Sequence, residues 1–370
     1  MLELMYLPII LFIIASVIIV IAAIKLAHYG DAIAKTTGLG HSLVGIILLS
    51  AATSLPELFS SSSASFFGNV DLSFGNVFGS NMTNIFILVI MDFFVKGHPI
   101  LFGVSQKNIM TGGIVIFISC LALLMMSIPK LLDPRLFSQL LSPELLESEK
   151  NLISGFLKPT VETGNFWYFS IILFLLYLAG IKIIYHYEKA NMSEETDDSE
   201  PVMTKQKAIL GFVISSIFVF GASILLSYSC DKISGFSIGG VPLGGTFVGT
   251  LFMAFTTSLP EVVVSIAALR LGSHDMALGN IFGSNLFNLA ILSFSDAFYR
   301  LGQMKNGVLD VFTQSHPNHL ISGFIGIIFI GIVLSSLMYR RKTKKGPLGF
   351  DTFIIGILYF IGIYGLFILR

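Results

Sequence analysis

Apolar residues run through this chain in long unbroken stretches, not in narrow periodic stripes. Ten such stretches lie near residues 6–28, 43–67, 73–95, 108–132, 166–187, 207–230, 244–270, 277–299, 319–339 and 348–369. An apolar run of about 20 residues is long enough to cross a bilayer as a helix. The pattern therefore predicts an all-α integral membrane protein with ten transmembrane helices. Tyr6, Tyr29, Trp167, Tyr168, Tyr185, Tyr187, Tyr299 and Tyr339 fall near the ends of runs, where amphipathic rings settle at the headgroups. The first run reads as a span, not a signal peptide, because no basic residue precedes Lys25 and the apolar stretch is too long.

Two long polar connections interrupt the runs. Residues 133–165 carry Pro134, Pro143, Glu144, Glu147, Glu149 and Pro159, and residues 191–206 carry Glu194, Glu195, Asp197, Asp198 and Glu200. Both read as solvated loops, and the acidic one reads as the linker between a first half, 1–190, and a second, 207–370. Its carboxylates lack the spacing of an EF-hand loop. The connections after the first, third, fifth, seventh and ninth runs and their flanks hold 14 Lys and Arg, against 8 on the opposite side. By the positive-inside rule both termini are expected outside, with the linker cytoplasmic.

Composition narrows the picture. Hydrophobic residues make up 54% of the 370, and charged residues only 12%, where soluble domains average about 25% charged. The mean hydropathy is +0.84. An ordinary soluble enzyme and a disordered chain are both excluded. The formal net charge is zero, without the basic excess of a nucleic-acid binder. Cys120 and Cys230 make no disulfide framework, and each reads as a buried small hydrophobe.

The chain also repeats itself. Thr53-Ser-Leu-Pro-Glu57 recurs as Thr257-Ser-Leu-Pro-Glu261, and Gly75-Asn-Val-Phe-Gly-Ser-Asn81 recurs as Gly279-Asn-Ile-Phe-Gly-Ser-Asn285, both offset by 204 residues. The same offset maps Gly68 onto Gly272, Asp71 onto Asp275, Asn84 onto Asn288 and Asp92 onto Asp296. Between 43–92 and 247–296, 21 of 50 positions are identical. Five spans separate the copies, and five is odd, so the copies cross the membrane in opposite senses. The fold expected is two inverted-topology five-helix repeats. Such folds place a substrate site near the midplane where the repeats meet.

Glu57 and Glu261 lie inside apolar spans. An ionised carboxylate there costs roughly 2.5–3.5 kcal/mol on lenient scales, which marks it as functional by default. Helical spacing groups Ser50, Thr53, Ser54, Glu57 and Ser61 on one face, and Ala254, Thr257, Ser258, Glu261 and Ser265 on the other copy's face. Pro56 and Pro260 lack an N–H and free the carbonyls of Ala52 and Thr256. Ser80 and Asn84, and Ser284 and Asn288, add oxygens four residues apart. Gly75-x-x-x-Gly79 and Gly279-x-x-x-Gly283 allow close backbone approach. These are carboxylate, hydroxyl, amide and carbonyl oxygens, with neither Cys nor His in the motifs. Oxygen-only sets suit hard cations such as Ca²⁺ and Na⁺. Two negative charges neutralise one Ca²⁺, host Na⁺ ions, or take up protons.

At these motifs the chain resembles the Ca²⁺/cation antiporter superfamily, on its Na⁺/Ca²⁺ exchanger branch. The resemblance covers 43–92 and 247–296, with similar lead-ins at 25–42 and 221–245. It implies ten helices in two inverted halves and exchange of Na⁺ for Ca²⁺ by alternating access, with spans 1 and 6 sliding against spans 2, 3, 7 and 8. It implies that Glu57 and Glu261 bind Ca²⁺ and Na⁺. Thr53, Thr257, Ser54 and Ser258 would supply Na⁺-site oxygens, and Ser80 and Ser284 would line flanking Na⁺ sites. Asn84 and Asn288 would lie level with the centre, and the carbonyls of Ser50 and Ala254 would complete the coordination. The chain departs from the family pattern where Gly is replaced by Ala52 and Thr256, and where some relatives carry Asp at the position of Asn288.

The implied partners are the lipid bilayer and the transported ions, with no cofactor, nucleic acid or required protein partner, and the implied location is the cell (inner) membrane. A proton-coupled divalent-cation antiporter is the closest alternative, since both glutamates can carry protons. A channel fits the two-fold repeat less well. An intramembrane enzyme lacks its motifs, with no H-E-x-x-H and no G-x-S-x-G. His316 and His319 read as polar surface, and Asp92 and Asp296 as capping or gating salt bridges.

Overall fold

The computed structural model describes residues 2–131, 167–190, 203–234, 237–238, 241–242, 257–303, 310–344 and 346–368. The 133–165 loop, the acidic stretch 191–202, and the first part of the seventh run with Ala254 and Thr256 lie outside the described residues. Within each of the ten predicted runs the described residues include a helix, the seventh run being described only from residue 257. The helices are α1 (Leu2–Thr37), α2 (His41–Thr53), α3 (Leu55–Phe66), α4 (Val70–Phe94), α5 (Asn108–Leu131), α6 (Trp167–Ala190), α7 (Lys205–Ser234), α8 (Leu259–Arg270), α9 (His274–Gln303), α10 (Asn318–Tyr339) and α11 (Phe350–Ile368). Among the described residues seven are long and apolar enough to cross a bilayer, and α2 with α3 forms a bent eighth. A two-stranded hairpin, Ser237–Ile238 against Val241–Pro242, follows α7.

The centre is built from α4 and α9, the helices carrying the G-N-x-x-G-S-N motifs. They pack on each other and are buried along most of their length, with Phe74, Phe78 and Phe282 fully inside. The outer helices are exchanged between halves. Helices α10 and α11 of the second half pack on α4 of the first, and α5 and α6 of the first pack on α9 of the second. Helices α1 and α7 pack together at the side. Each turns an apolar row outward, Ile10, Ile13, Val17 and Ile21 on α1, and Leu210, Val213 and Ile217 on α7. Those rows meet lipid, which explains why the runs are apolar all round.

Four aspartates fix this exchange. Asp71, at the start of α4, accepts from His316 N at 2.7 Å and contacts His319 Nε2 at 3.1 Å, at the start of α10. Asp275, at the start of α9, accepts from Ser105 N at 2.7 Å and Asn108 Nδ2 at 2.9 Å, at the start of α5. Asp92 accepts from Ile100 N at 2.8 Å, Thr352 Oγ1 at 2.6 Å and Lys344 Nζ at 3.2 Å. Asp296 accepts from Ser170 Oγ at 2.6 Å, Arg300 Nε at 3.0 Å and Val311 N at 3.2 Å. Each motif helix thus carries one carboxylate at each end, aimed at the start of an outer helix from the other half. Unpaired N–H groups and the positive end of the dipole make helix starts good partners for carboxylates.

Asp92 and Asp296 therefore cap and pair as expected. His316 and His319 are not idle surface, since both engage Asp71. Cys120 corrects its expectation too. It is exposed, on the row of α5 that also exposes Phe117 and Leu124, so it faces the lipid side and not the core.

Candidate functional site

The second span breaks where its sequence turns from hydroxyls to proline. Residues Val44–Leu49 are π-helical, a widened turn often found at functional sites. Ser54 leaves helical geometry at φ −91° and ψ 6°, and α2 and α3 meet at a 44° bend. Pro56 falls in the first turn of α3, where its missing N–H costs nothing. Glu57 follows in the same turn. The second copy repeats the device, with Ser258 at φ −82° and ψ 4°, then Pro260 and Glu261 in the first turn of α8. Each glutamate is thus set against the positive end of a short helix, which offsets part of the cost of a carboxylate at membrane depth.

Glycines bring the two copies together. A Cβ on Gly45 would collide with the Met276 carbonyl and come within 3.0 Å of Asn280 N. One on Gly279 would lie 2.8 Å from the Ser42 carbonyl oxygen. One on Gly283 would strike the Ile46 carbonyl and lie 2.7 Å from Ser50 Oγ. The G-x-x-x-G spacing of α9 thus seats it directly on the backbone of α2.

That approach places polar side chains of one copy against those of the other. Glu57 and Glu261 are each 1% exposed. Ser54 Oγ donates to Glu261 Oε1 at 3.1 Å, and Ser258 Oγ reaches Ser80 Oγ at 3.4 Å. Thr53 Oγ1 donates to the carbonyl of Leu49 at 3.0 Å and reaches Asn280 Oδ1 at 3.4 Å. Thr257 Oγ1 reaches Asn76 Oδ1 at 3.4 Å. Behind them Asn76 Nδ2 donates to Ser61 Oγ at 2.9 Å, and Asn280 Nδ2 to Ser265 Oγ at 3.1 Å. Asn84 Nδ2 donates to Asn285 Oδ1 at 3.0 Å, and Asn288 Nδ2 to Asn81 Oδ1 at 2.9 Å.

Six buried oxygens of this cluster have no hydrogen-bond partner among the described residues. They are both carboxylate oxygens of Glu57, Oε2 of Glu261, Oδ1 of Asn84, Oδ1 of Asn288 and Oγ of Ser284. Buried polar atoms are normally satisfied, so this set of orphaned hard oxygens stands out. Among the described residues no group of three or more His, Cys, Asp or Glu side chains is suited to a metal ion. A cation here would meet two carboxylates and otherwise neutral oxygens.

Glu57, Glu261, Thr53, Thr257, Ser54, Ser258, Ser80, Ser284, Asn84, Asn288 and Ser50 are all buried in this one region. The Ser50 carbonyl accepts from Ser54 N at 3.0 Å and Thr53 Oγ1 at 3.3 Å. Its hydroxyl donates to the Ile46 carbonyl. Ala254 lies outside the described residues. The structure adds Asn76, Asn280, Asn81 and Asn285, each hydrogen-bonded to an expected site residue. The signal was available, since the 204-residue offset maps each asparagine onto another inside apolar helices.

Comparison with known proteins agrees with this architecture. The family model described as sodium/calcium exchanger protein matches residues 7–185 and 207–370. The inner membrane protein YrbG of Escherichia coli (strain K12) is 24% identical over 348 residues, covering 91% of this chain and 90% of that one. The sodium/calcium exchanger MaX1 of Methanosarcina acetivorans is 48% identical over 63 residues, 17% of each chain. A solved structure of the sodium-calcium exchanger NCX_Mj superposes with a TM-score of 0.65 at 18% identity, covering 98% of this chain and 99% of that one. The chain belongs to the sodium/calcium exchanger protein family.

Proposed function

We propose that this protein exchanges Na⁺ for Ca²⁺ across the cell (inner) membrane by alternating access at one midplane site. The observation that carries the reading is the orphaned oxygen set around Glu57 and Glu261. Two buried carboxylates with neutral amide and hydroxyl oxygens neutralise one Ca²⁺ or hold monovalent cations in its place. A site that is costly when charged and empty favours handing one cargo for another, which is the basis of exchange. In this reading Glu57 and Glu261 are the central ligands of both ions. Thr53, Thr257, Ser54 and Ser258 supply oxygens to the Na⁺ positions, and Ser80 and Ser284 line the flanks. Asn84 and Asn288 add amide oxygens at the centre, and the carbonyls of Ser50 and Ala254 complete the set. No cofactor takes part, and the ions are cargo.

The lateral pair α1 and α7 slides against the motif helices to expose the site alternately. Both termini lie outside and the 191–206 linker lies in the cytoplasm. Cysteines introduced at Ser193 and at exposed Lys342 are expected to react with a membrane-impermeant maleimide only from the cytoplasmic side, and labelling only from outside would invert this topology.

A proton-coupled exchange of Ca²⁺ or another divalent cation is the competing reading, favoured by one observation: the same two glutamates, with orphaned oxygens, are also proton acceptors. The deciding experiment is ⁴⁵Ca²⁺ uptake into proteoliposomes loaded with Na⁺ and diluted into Na⁺-free buffer, beside matched vesicles given only a pH gradient. Uptake under the Na⁺ gradient alone is expected. Uptake under the pH gradient alone would make the glutamates proton carriers.

A further inference from the structure

The amide groups of Asn84 and Asn288 each have two faces of opposite polarity. The carbonyl end attracts a cation and the NH₂ end repels it, so an asparagine serves a cation only if its orientation is held. The structure contains the parts that hold it. The main-chain carbonyl of Asn81 can only accept, and Asn285 Nδ2 donates to it at 3.3 Å. That bond leaves Asn285 Oδ1 as an acceptor for Asn84 Nδ2 at 3.0 Å. Asn84 Oδ1 is then the end left without a partner, and it is buried. On the other side Asn288 Nδ2 donates to Asn81 Oδ1 at 2.9 Å, and Asn288 Oδ1 is likewise buried and unpartnered. Turning either amide over would set two carbonyl oxygens against each other and bring an NH₂ to the cation.

We propose that Asn81 and Asn285 are positioning residues: each holds the carboxamide of the site asparagine on the other repeat so that its carbonyl oxygen is presented to the cation. This rests on the central-site reading given above. Neither residue touches the cation, and each acts through its partner, Asn285 through Asn84 and Asn81 through Asn288. Because each bond crosses from one repeat to the other, the site's amide oxygens are aimed only when α4 and α9 are packed together. The arrangement also assigns Asn288 a neutral, carbonyl-first role, so the site carries the charge of two glutamates only.

The test is a double-mutant cycle read by Ca²⁺ titration calorimetry on purified full-length protein. Maximal rates of ⁴⁵Ca²⁺/Ca²⁺ self-exchange in proteoliposomes, which need no coupling ion, are measured alongside. Asn285→Ala is expected to weaken Ca²⁺ binding about tenfold, the scale on which partners behind a ligand act. Asn84→Ala is expected to weaken it at least as much. The double variant should bind like Asn84→Ala alone, because Asn285 has nothing left to aim. A purely structural role would lower the maximal rate at unchanged Ca²⁺ affinity, or would multiply the two effects in the double variant, and either result overturns the proposal.

If Asn285→Ala does not fold, the same cycle is run with Asn81→Ala and Asn288→Ala. Glu57→Gln separates the two levels of the argument. Wild-type Ca²⁺ binding by folded Glu57→Gln would remove the central-site reading and this proposal with it. Lost binding in Glu57→Gln beside wild-type binding in Asn285→Ala would remove the positioning role alone.

Discussion

Glu57 and Glu261 occupy equivalent points of the two repeats, each in the first turn of a helix that follows a broken turn at Ser54 or Ser258. Their oxygens are used differently. Glu261 accepts from Ser54 across the repeat interface at 3.1 Å, whereas Thr257 and Ser258, which face Glu57 in the equivalent way, make no bond that close to it, and Ser258 Oγ reaches Ser80 Oγ at 3.4 Å. The same split runs through the neighbours, since the first copy has Ser50 where the second has Ala254. Backbone symmetry thus comes from duplicated proline, glycine and aspartate positions. The two copies part company in how a few side chains are bonded. An inverted pair that were wired identically would have two interchangeable half-sites. In this one Ser54 holds Glu261 more closely than Ser258 holds Glu57.

The largest effect should come from the carboxylates themselves. Glu57→Gln and Glu261→Gln are each expected to abolish ⁴⁵Ca²⁺ uptake in proteoliposomes, with the folded protein retained by size-exclusion chromatography. The comparison sharpens if the two differ in a residual activity. In Glu261→Gln the new amide oxygen can still accept from Ser54, so the tether between the repeats survives. In Glu57→Gln the new NH₂ can donate to the unpartnered oxygens of the cluster, Glu261 Oε2, Asn84 Oδ1 and Asn288 Oδ1, and so competes with the cation for them. Residual uptake greater in Glu57→Gln than in Glu261→Gln would break the asymmetry argument.

Next in size are the helix anchors, which test whether the two ends of α4 are equally locked. Asp92 is fully buried and serves Lys344, Thr352, Ile100 and Gly349 together. Asp92→Ala leaves the Lys344 ammonium without its counter-charge, held only by the Asp92 and Pro347 carbonyls, and strands the buried N–H groups of Ile100 and Gly349, at about 3 kcal/mol or more. Asp71 holds an exposed pair with His319, so Asp71→Ala should cost less than about 1 kcal/mol. Thermal unfolding of the detergent-purified variants checks the order, and equal losses would refute it.

Close packing gives a third test. Gly283→Ala drives a Cβ into the Ile46 backbone, and a backbone neighbour cannot swing aside, so overpacking of roughly 1–3 kcal/mol is expected. Gly113→Ala, with no atom within 4 Å of the added Cβ, should leave the unfolding temperature at or above wild type. Equal destabilisation of both would show that α9 does not rest on α2 as described.

These tests also mark what was legible beforehand. Spans could be read because a membrane helix must be apolar over its whole length, and the repeat could be read because polar residues in apolar runs are few and their 204-residue offset stands out. The glutamates, hydroxyls and site asparagines followed from that scarcity. The exchange of α5, α6, α10 and α11 between halves leaves no local pattern, since it is decided by contacts between residues as far apart as Ser105 and Asp275, or Asp92 and Thr352. The capping role of Asp92 and Asp296 was foreseeable from their place near span ends, but the part of His316 and His319 was not, because their partner Asp71 is remote in sequence. The π-helical turn and the asparagine clamp were hidden for the same reason. Cys120 was misplaced because a residue in an apolar membrane helix faces lipid as readily as core.

The smallest predicted effect is the most direct probe of the asymmetry. Ser50→Ala makes the first repeat match Ala254 of the second. The Ser50 hydroxyl is turned back onto the Ile46 carbonyl of its own helix, a bond that slightly strains a helix and contributes little to its stability. Only the Ser50 carbonyl is proposed to serve the cation, and alanine keeps that carbonyl. Stability should therefore change by no more than about 0.5 kcal/mol, and Ca²⁺ transport should retain its wild-type KM. A marked rise in KM would mean that the hydroxyl itself reaches the cation. The two repeats would then differ in the number of oxygens they offer as well as in how those oxygens are held.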